Sequence, residues 1–309
     1  MLQTYDPRNA GISYWVNGVL RHRDEPGLSP FDSVVQGGDA VWEGLRLYQG
    51  RVFGLDAHLA RLRRSALALG FGLTVASGSD GADGAIPGDA EITAAITETL
   101  RANDMWDGVH IRLTLTRGVK MTSGMDPRLN RAGPTLIVLA EYKAPVYDTG
   151  GLRLITASVR RPGPDVLDPK IHHNNLLNSI LAKLEANAAG ADDALMLDGR
   201  GFVAETNATN LFAVVDGVLT TPTAVACPEG ITRRTVCELT PVVVRDLSLT
   251  EMYTASEVFC TGTMGEIAGV VEIDGRPIGE GTIGPVTADM ATRYQTHAQT
   301  HGALLLPPP

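Results

Sequence analysis

The segment from Asp168 to Phe212 constrains the fold more than any other part of the chain. Its amphipathic pattern predicts a helix over residues 174–190, and short apolar runs predict strands over 194–197, 202–204 and 210–215. Strands arrive in clusters and outnumber helices along the rest of the sequence as well. This order favours an α+β fold with mixed or antiparallel sheets over a doubly wound parallel sheet.

The N-terminal part mixes strands and helices in the same way. Asn17–Gly18 predicts a hairpin turn, and residues 109–116 predict a strand. A helix is predicted over residues 56–70, with Asp56 as its cap and Gly70 as its end.

A length of 309 residues is enough for two domains. The Pro- and Gly-containing stretch KAPVYDTG is the best linker candidate. We therefore expect an N-terminal α/β domain over residues 1–142, a linker over 143–150 and a C-terminal domain over 151–309.

Composition and charge exclude several classes of partner. The formal net charge of −9 argues against nucleic acid and against an anionic membrane, because both need clustered Lys and Arg. No apolar run approaches the ~20 residues that span a bilayer, and the N-terminus does not look like a secretory signal. Cys227, Cys237 and Cys260 form no CxxC pair, which argues against a disulfide framework or a zinc site. We expect a soluble cytoplasmic protein.

A lysine and a remote carboxylate within the Asp168–Phe212 segment indicate one cofactor chemistry. Lys170 precedes the predicted helix, and Glu205 ends an apolar strand. Pyridoxal phosphate enzymes need an amine that forms a Schiff base with the cofactor's aldehyde. They also need a carboxylate that keeps the pyridine nitrogen protonated.

A phosphate group needs backbone N–H donors and a cation, and the sequence offers candidates for each. Gly230-Ile231-Thr232 predicts a loop entering a helix, where Thr232 can donate at the positive end of the helix dipole. The turn that contains Thr263 could form an anion nest, and Arg61 could supply the cation. Each motif alone is also a common structural turn or a solvated helix face.

Taken together, these segments resemble the class IV aminotransferases, pyridoxal phosphate enzymes of fold type IV, in the branched-chain and D-amino-acid transaminase branch. The resemblance implies a two-domain α+β fold with a barrel-like C-terminal domain. It also implies a homodimer or higher oligomer. The matching segments, in chain order, are DAVWEGLRLYQGRVFGLDAHLARLRRSA (39–66), HIRLTLTRG (110–118), GFVAETNATNLF (201–212), GITR (230–233) and TGTMGE (261–266).

The resemblance implies a role for each matching position. Arg61 takes the place of the phosphate-binding arginine, and Glu205 that of the carboxylate on the pyridine nitrogen. Ile231 and Thr232 match the first phosphate-binding loop, and Thr263 matches the second.

The same resemblance implies that Arg112 or Arg117 binds the substrate carboxylate, while the other is solvated or ion-paired. Alignment through LLNSILAKLEA places His172 in the usual lysine column and Lys170 two residues earlier. Two positions along an extended segment span about 6.6 Å, much of which a lysine arm can bridge. Either Lys170 reaches the aldehyde, or His172 occupies the site and the cofactor is held without a covalent link. The aromatic residue that branched-chain enzymes have just after the lysine is missing, and Asn174 and Asn175 stand there instead.

The adjacent histidines His172 and His173 are poor metal ligands as a pair, because neighbouring residues of a strand face opposite sides. We expect no metal site. A histidine side chain in this place is suited to proton transfer near the cofactor, because an unperturbed imidazole has a pKa of about 6.5. A structural role for His172 is the alternative.

The sequence therefore predicts a pyridoxal phosphate-dependent aminotransferase, acting on a small amino acid and a 2-oxo acid, with branched-chain amino acids as one candidate class. Two alternatives remain. One is a lyase of the aminodeoxychorismate lyase type on the same scaffold. The other is a homologue without normal Schiff-base chemistry, in which His172 fills the lysine column.

Overall fold

The computed structural model describes residues 4–72, 85–130, 132–145, 147 and 150–308. The chain forms two units, and neither is continuous in sequence. One, the N-unit, takes its described residues from Thr4–Ala144, Ile171–Asn175 and His301–Pro309. The other, the C-unit, takes them from Pro145–Lys170 and Leu176–Thr300.

The secondary structure of the described residues is given in chain order. The strands are β1 Ser13–Val16, β2 Val19–His22, β3 Ala40–Tyr48, β4 Arg51–Val52, β5 Val109–Thr116, β6 Thr135–Tyr142, β7 Leu152–Thr156, β8 Asp193–Leu197, β9 Val203–Thr206, β10 Asn210–Val215, β11 Val218–Thr221, β12 Val243–Val244, β13 Glu257–Gly262, β14 Glu266–Ile273, β15 Arg276–Pro277 and β16 Ala303–Leu304. The α-helices are α1 Ser33–Gly37, α2 Leu55–Ala68, α3 Asp89–Ala102, α4 Leu177–Ala188, α5 Ile231–Leu239, α6 Leu249–Thr254 and α7 Pro285–Thr300.

The N-unit is built on an antiparallel sheet with the strand order β16-β4-β3-β5-β6-β1-β2. Its longest pairing joins β3 to β5, from Ala40 opposite Thr116 to Leu47 opposite Val109. Apolar side chains of these strands pack with those of α2 and α3 to form the core of the unit. The predicted hairpin at Asn17–Gly18 is confirmed, and both of its residues have positive φ, as a tight two-residue turn requires.

Helix α2 agrees with the predicted helix except at its start. The sequence predicts Asp56 as its cap, but the cap is Gly54, whose left-handed backbone turns the chain into the helix without a side-chain hydrogen bond. Asp56 lies in the first turn instead, where its negative charge interacts favourably with the positive end of the helix dipole. The helix ends at Ala68, just before Gly70, whose φ is positive as expected of a helix stop.

The C-unit contains a mixed sheet with the order β12-β11-β10-β13-β14-β7-β8-β9, to which β15 adds beside β14. The pairs β11/β12, β7/β14 and β7/β8 are parallel, and the other neighbours are antiparallel. The N–H of Thr206 donates to the carbonyl of Thr209, so the end of β9 lies beside the start of β10 and the sheet curls on itself. The predicted mixed sheet and barrel-like shape of this part are confirmed.

Two short segments join the N-unit although they come late in the chain. β16 pairs with β4, and the carbonyl of His172 accepts a hydrogen bond from the N–H of Trp42. Both segments fall within the predicted C-terminal domain, 151–309. Of the predicted linker 143–150, residues 146, 148 and 149 lie outside the described residues, and the domain bounds stay a prediction. In the part of the chain that the structure describes, no helix combines the length and apolar character needed to cross a membrane.

Candidate active site

A buried carboxylate organises one group of polar side chains in the N-unit, the Glu43 cluster. Glu43 lies on β3 and is fully buried. Arg61 of α2 donates to both of its oxygens, from Nε at 2.8 Å and from Nη2 at 2.7 Å. Nδ1 of His58 lies 2.7 Å from Oε2, and Nδ1 of His172 lies 3.5 Å from Oε1. His58 and Arg61 face the same strand because they are three residues apart on the helix.

Opposing effects set the ionisation of the Glu43 cluster. Burial alone would raise the pKa of Glu43, but the charges and hydrogen bonds of Arg61, and of His172 when protonated, hold that pKa well below its usual value. Burial lowers the pKa of His58, so its imidazole is neutral at neutral pH and donates to the carboxylate. The cluster therefore holds Arg61 through Nε and Nη2, a bidentate geometry that fixes the plane of the guanidinium.

His172 belongs to the N-unit and is held at several points. Its ring stacks on Trp42 with 4.3 Å between centroids, and its Nδ1 lies 2.5 Å from the Trp42 carbonyl oxygen. Its backbone N–H donates to Oγ of Ser65. The segment that carries His172 thus runs alongside β3, and its imidazole is part of the Glu43 cluster.

The two candidate substrate-binding arginines have different surroundings. The guanidinium of Arg112 lies 3.7 Å from the ring centre of Trp42, and its Nη2 donates to the side chain of Asn174. Burial lowers the pKa of Arg112 to about 10, and the charge of Glu43 opposes that shift. Arg117 instead forms an ion pair with Asp39, with Nε 2.6 Å from Oδ2.

Arg117 also donates to the carbonyl groups of Leu69 and Gly70, at the end of α2. Its hydrogen bonds thus join β5 to that helix end, the ion-paired alternative expected for one of the two arginines. Arg112, in contrast, lies with Trp42 beside the Glu43 cluster.

In the C-unit, a second buried carboxylate is held between a cation and an amide. Glu205 of β9 is 4% exposed and forms an ion pair with Nη2 of Arg161. Its Oε2 accepts a hydrogen bond from the side-chain amide of Asn210 at 3.3 Å. Arg161 is held in turn by Oγ of Ser179 on α4, 2.8 Å from its Nη1. We call Glu205, Arg161 and Asn210 the Glu205 cluster.

Lys170 lies in the same unit as Glu205. It is an exposed residue in a turn, and its backbone N–H donates to Oδ1 of Asp168. The charges of Lys170, Arg161 and Glu205 all act on the buried thiol of Cys227. Burial and the negative charge of Glu205 raise the pKa of Cys227 to about 12, so it stays a thiol at neutral pH. A single thiol thus experiences the charges of both the candidate lysine and the Glu205 cluster.

The start of α5 is joined to the Glu205 cluster by Asn210, whose amide also donates to the carbonyl of Pro228. Gly230 caps the helix without a side-chain hydrogen bond, and a Cβ at this position would lie 2.0 Å from Oδ1 of Asn210. Ile231 and Thr232 begin the helix, and both are buried. Any larger residue here would displace the side chain of Asn210, and the cap residue leaves the first N–H groups of the helix without a side-chain cap.

Thr263, the second predicted phosphate contact, is half-buried in the turn between β13 and β14. The strand before it ends with Thr261 and Gly262, and Thr261 lies opposite Asn210 in the register of β10 and β13. Thr263 therefore follows a strand that is paired directly with the residue holding Glu205.

Comparison with known proteins places these clusters in a family context. The profile of Amino-transferase class IV matches residues 40–273, which include the strands of both clusters. This chain belongs to the class IV aminotransferase family.

Relatives in the class IV family carry aminotransferase names. The chain is 54% identical over 295 residues to "Branched-chain-amino-acid aminotransferase-like protein 2" of Arabidopsis thaliana, covering 94% of this chain and 51% of that protein. It is 39% identical over 291 residues to the "Putative branched-chain-amino-acid aminotransferase" of Methanocaldococcus jannaschii, covering 92% and 96%. The chain spans about half the length of the Arabidopsis relatives it matches.

Solved structures confirm the predicted fold type. The branched-chain amino acid aminotransferase of T.th., complexed with N-(5'-phosphopyridoxyl)-L-glutamate, has a TM-score of 0.82 and 34% identity, covering 94% of this chain and 95% of that one. Its fold is fold type IV, as predicted. The names of these relatives and structures favour the aminotransferase over the lyase and over the homologue without normal Schiff-base chemistry.

Several residues in or beside the two clusters were not predicted from the sequence, namely Glu43, His58, Trp42, Arg161 and Asn210. A signal was present for Glu43, since a carboxylate within the otherwise buried run of β3 must have partners. Nothing in the double arginine at 160–161 indicated that Arg161, and not Arg160, pairs with Glu205.

Proposed function

We propose that this chain is a pyridoxal phosphate-dependent aminotransferase that moves an amino group between a small, branched-chain amino acid and a 2-oxo acid. The Glu205 cluster carries the proposal. A carboxylate that is 4% exposed, paired with Arg161 and fixed by Asn210, is suited to bind a protonated pyridine nitrogen. The cofactor, when bound, supplies the electron sink for chemistry at the amino acid's Cα.

The start of α5 also fits a phosphate. Uncapped N–H groups at a helix N-terminus are a common binding site for such an anion, and Gly230 adds no side chain of its own over them. We assign the phosphate to Ile231, Thr232 and Thr263, with Arg61 as the cation. Glu43 holds Arg61 in one orientation, which reduces the entropy lost when the arginine binds an anion.

We assign the covalent link to Lys170. Of Lys170 and His172, only the lysine can form a bond of this kind, because an imidazole cannot form an imine with an aldehyde. Lys170 belongs to the C-unit, and its charge reaches the same thiol as the charge of Glu205. The same amine would carry the proton between the substrate's Cα and the cofactor. His172 is assigned a supporting role, in which it holds Glu43 and Trp42.

We assign the substrate carboxylate to Arg112, because Arg117 is committed to Asp39 and the end of α2. The branched-chain preference rests on the names of the relatives. Cytoplasmic location and assembly as a homodimer are also proposals. The first is supported by the free thiols of Cys227, Cys237 and Cys260, and the second by the family resemblance.

Borohydride trapping tests the proposal directly. The protein is incubated with pyridoxal phosphate, reduced and digested, and the modified peptide is found by mass spectrometry. We expect modification at Lys170, and its loss in Lys170→Ala but not in the control Lys143→Arg. Turnover of leucine with 2-oxoglutarate should disappear in the same variant.

Cofactor binding without covalent trapping would contradict the assignment of Lys170. Trapping at Lys170 without turnover of any amino acid and 2-oxo acid pair would contradict the aminotransferase itself.

A further inference from the structure

We propose that Tyr147 is a positioning residue for the turn that follows β13, residues 263–265, and so sets the affinity of the C-unit for a phosphate group. The inference rests on the proposed function, in which Thr263 of this turn contacts the cofactor's phosphate. It adds a residue that no sequence motif indicated.

The glycines flanking Thr263 lie unusually close to side chains. A Cβ at Gly265 would lie 2.4 Å from Cε2 and 2.5 Å from Cδ2 of Tyr147. A Cβ at Gly262 would lie 3.0 Å from Cγ2 of Thr209. Real Cβ atoms do not come as close as the Gly265 distances, and the Gly262 distance is at the tight end of real contacts. Tyr147 and Thr209 therefore define the path of the turn by packing directly against its backbone.

The ring of Tyr147 is itself held in place by a buried acid. Its hydroxyl lies 2.5 Å from Oδ2 of Asp193, which is 4% exposed at the start of β8. Burial and the charge of Asp193 raise the pKa of Tyr147 well above its usual value, so the hydroxyl keeps its proton and donates. The other oxygen of Asp193 lies 3.1 Å from Nζ of Lys183 on α4.

These contacts form a continuous path from α4 to the turn. Lys183 compensates the charge of Asp193, Asp193 fixes the hydroxyl of Tyr147, and the ring packs on Gly265. Because α4 follows the Lys170 segment in the chain, the path joins the helix after the candidate lysine to the second phosphate loop. Removing only the hydroxyl leaves the ring in place but breaks its link to Asp193.

Comparing pyridoxal phosphate with pyridoxal, which lacks the phosphate, gives a readout that general destabilisation would not produce. Dissociation constants for both are measured by fluorescence on the wild-type chain, Tyr147→Phe and Gly265→Ala. We expect Tyr147→Phe to weaken the binding of pyridoxal phosphate roughly tenfold, which is the effect of losing one hydrogen bond to a charged group. Pyridoxal binding should change little.

Two further variants sharpen the test. Tyr253→Phe removes a comparable tyrosine–aspartate hydrogen bond, to Asp274, and should leave the ratio of the two dissociation constants unchanged. Gly265→Ala should weaken phosphate binding more than Tyr147→Phe does, and adding Tyr147→Ala should restore part of that loss by making room for the new methyl group. An equal loss of affinity for pyridoxal phosphate and for pyridoxal in Tyr147→Phe would overturn the proposal.

A ligand-independent measurement separates this inference from the proposed function. If the wild-type chain binds neither ligand, the proposed function fails, and amide hydrogen exchange of residues 261–266 still tests Tyr147. Faster exchange there in Tyr147→Phe than in Tyr253→Phe would support positioning. Unchanged exchange would overturn it.

Discussion

At the scale of single residues, Arg161 is the side chain on which Glu205 depends most. Replacing it with Met would leave the buried carboxylate with Asn210 but without its Arg161 cation. Breaking a buried pair in this way costs about 3–5 kcal/mol, because the remaining charge stays desolvated. We expect Arg161→Met to lower the unfolding free energy by this amount in urea titrations, and to weaken pyridoxal phosphate binding.

The neighbouring arginine supplies the matched control for this prediction. Arg160 is exposed, so Arg160→Met should change stability by less than about 0.5 kcal/mol. If the two variants lower the unfolding free energy equally, the ion pair between Arg161 and Glu205 does not contribute to stability in solution.

At the same scale, the sequence pointed to residues that would act by their own chemistry, and it did not point to those that act through others. Lys170 and Glu205 could be named because few side chain types can do what the cofactor requires. Arg161 and Asn210 could not, because their roles come from the pairing of β10 with β13 and from the position of Ser179 on α4. Such contacts depend on tertiary structure, which no local pattern records.

At the scale of secondary structure elements, the second prediction concerns Gly230, which caps the start of α5. In Gly230→Ala, the new methyl group would lie 2.0 Å from the Asn210 side chain that holds Glu205. Overpacking of this kind costs about 1–3 kcal/mol. We expect that loss in thermal or urea unfolding, together with weaker binding of pyridoxal phosphate, because Asn210 and the helix start must move apart.

Gly199 offers a control within the same unit. A Cβ at this position would meet no described atom within 4 Å, and the φ of Gly199 is not positive, so Gly199→Ala should be close to neutral. Equal effects of the two substitutions would mean that the start of α5 adjusts without cost.

The hairpin at Asn17–Gly18 was predicted because its signal is local. The turns at Asn17–Gly18, Asp216–Gly217 and Asp274–Gly275 all have positive φ at both residues, the conformation that their Asn-Gly and Asp-Gly sequences favour. The start of α2 was missed because Gly54 takes over the capping position through its backbone alone. A side-chain rule cannot detect a cap of that kind.

At the scale of the whole molecule, sequence order did not reveal which parts of the chain share a unit. Residues 171–175 join the N-unit through hydrogen bonds with β3, such as the one from Trp42 to the carbonyl of His172. Lys170 and His172 therefore belong to different units although one residue separates them. An alignment treats the two positions as alternatives for one role, whereas the fold gives them different surroundings.

The stability of the folded molecule should fall as the pH falls, and His110 makes this testable. Burial, with the nearby charges of Lys143, Arg112 and Arg46, lowers the pKa of His110 from 6.5 to about 3. Between these values the unfolded chain binds a proton that the folded chain does not. The unfolding free energy therefore falls as the pH drops from 6.5 towards about 3. The stabilisation that comes from keeping His110 neutral is fully present only above pH 6.5.

Replacing His110 with Phe removes that proton from the unfolded chain. We expect the slope of unfolding free energy against pH within this window to become shallower by up to about 1.4 kcal/mol per pH unit. Urea titrations at a series of pH values measure it. An unchanged slope in His110→Phe would mean that the folded protein protonates this buried imidazole as readily as the unfolded chain does.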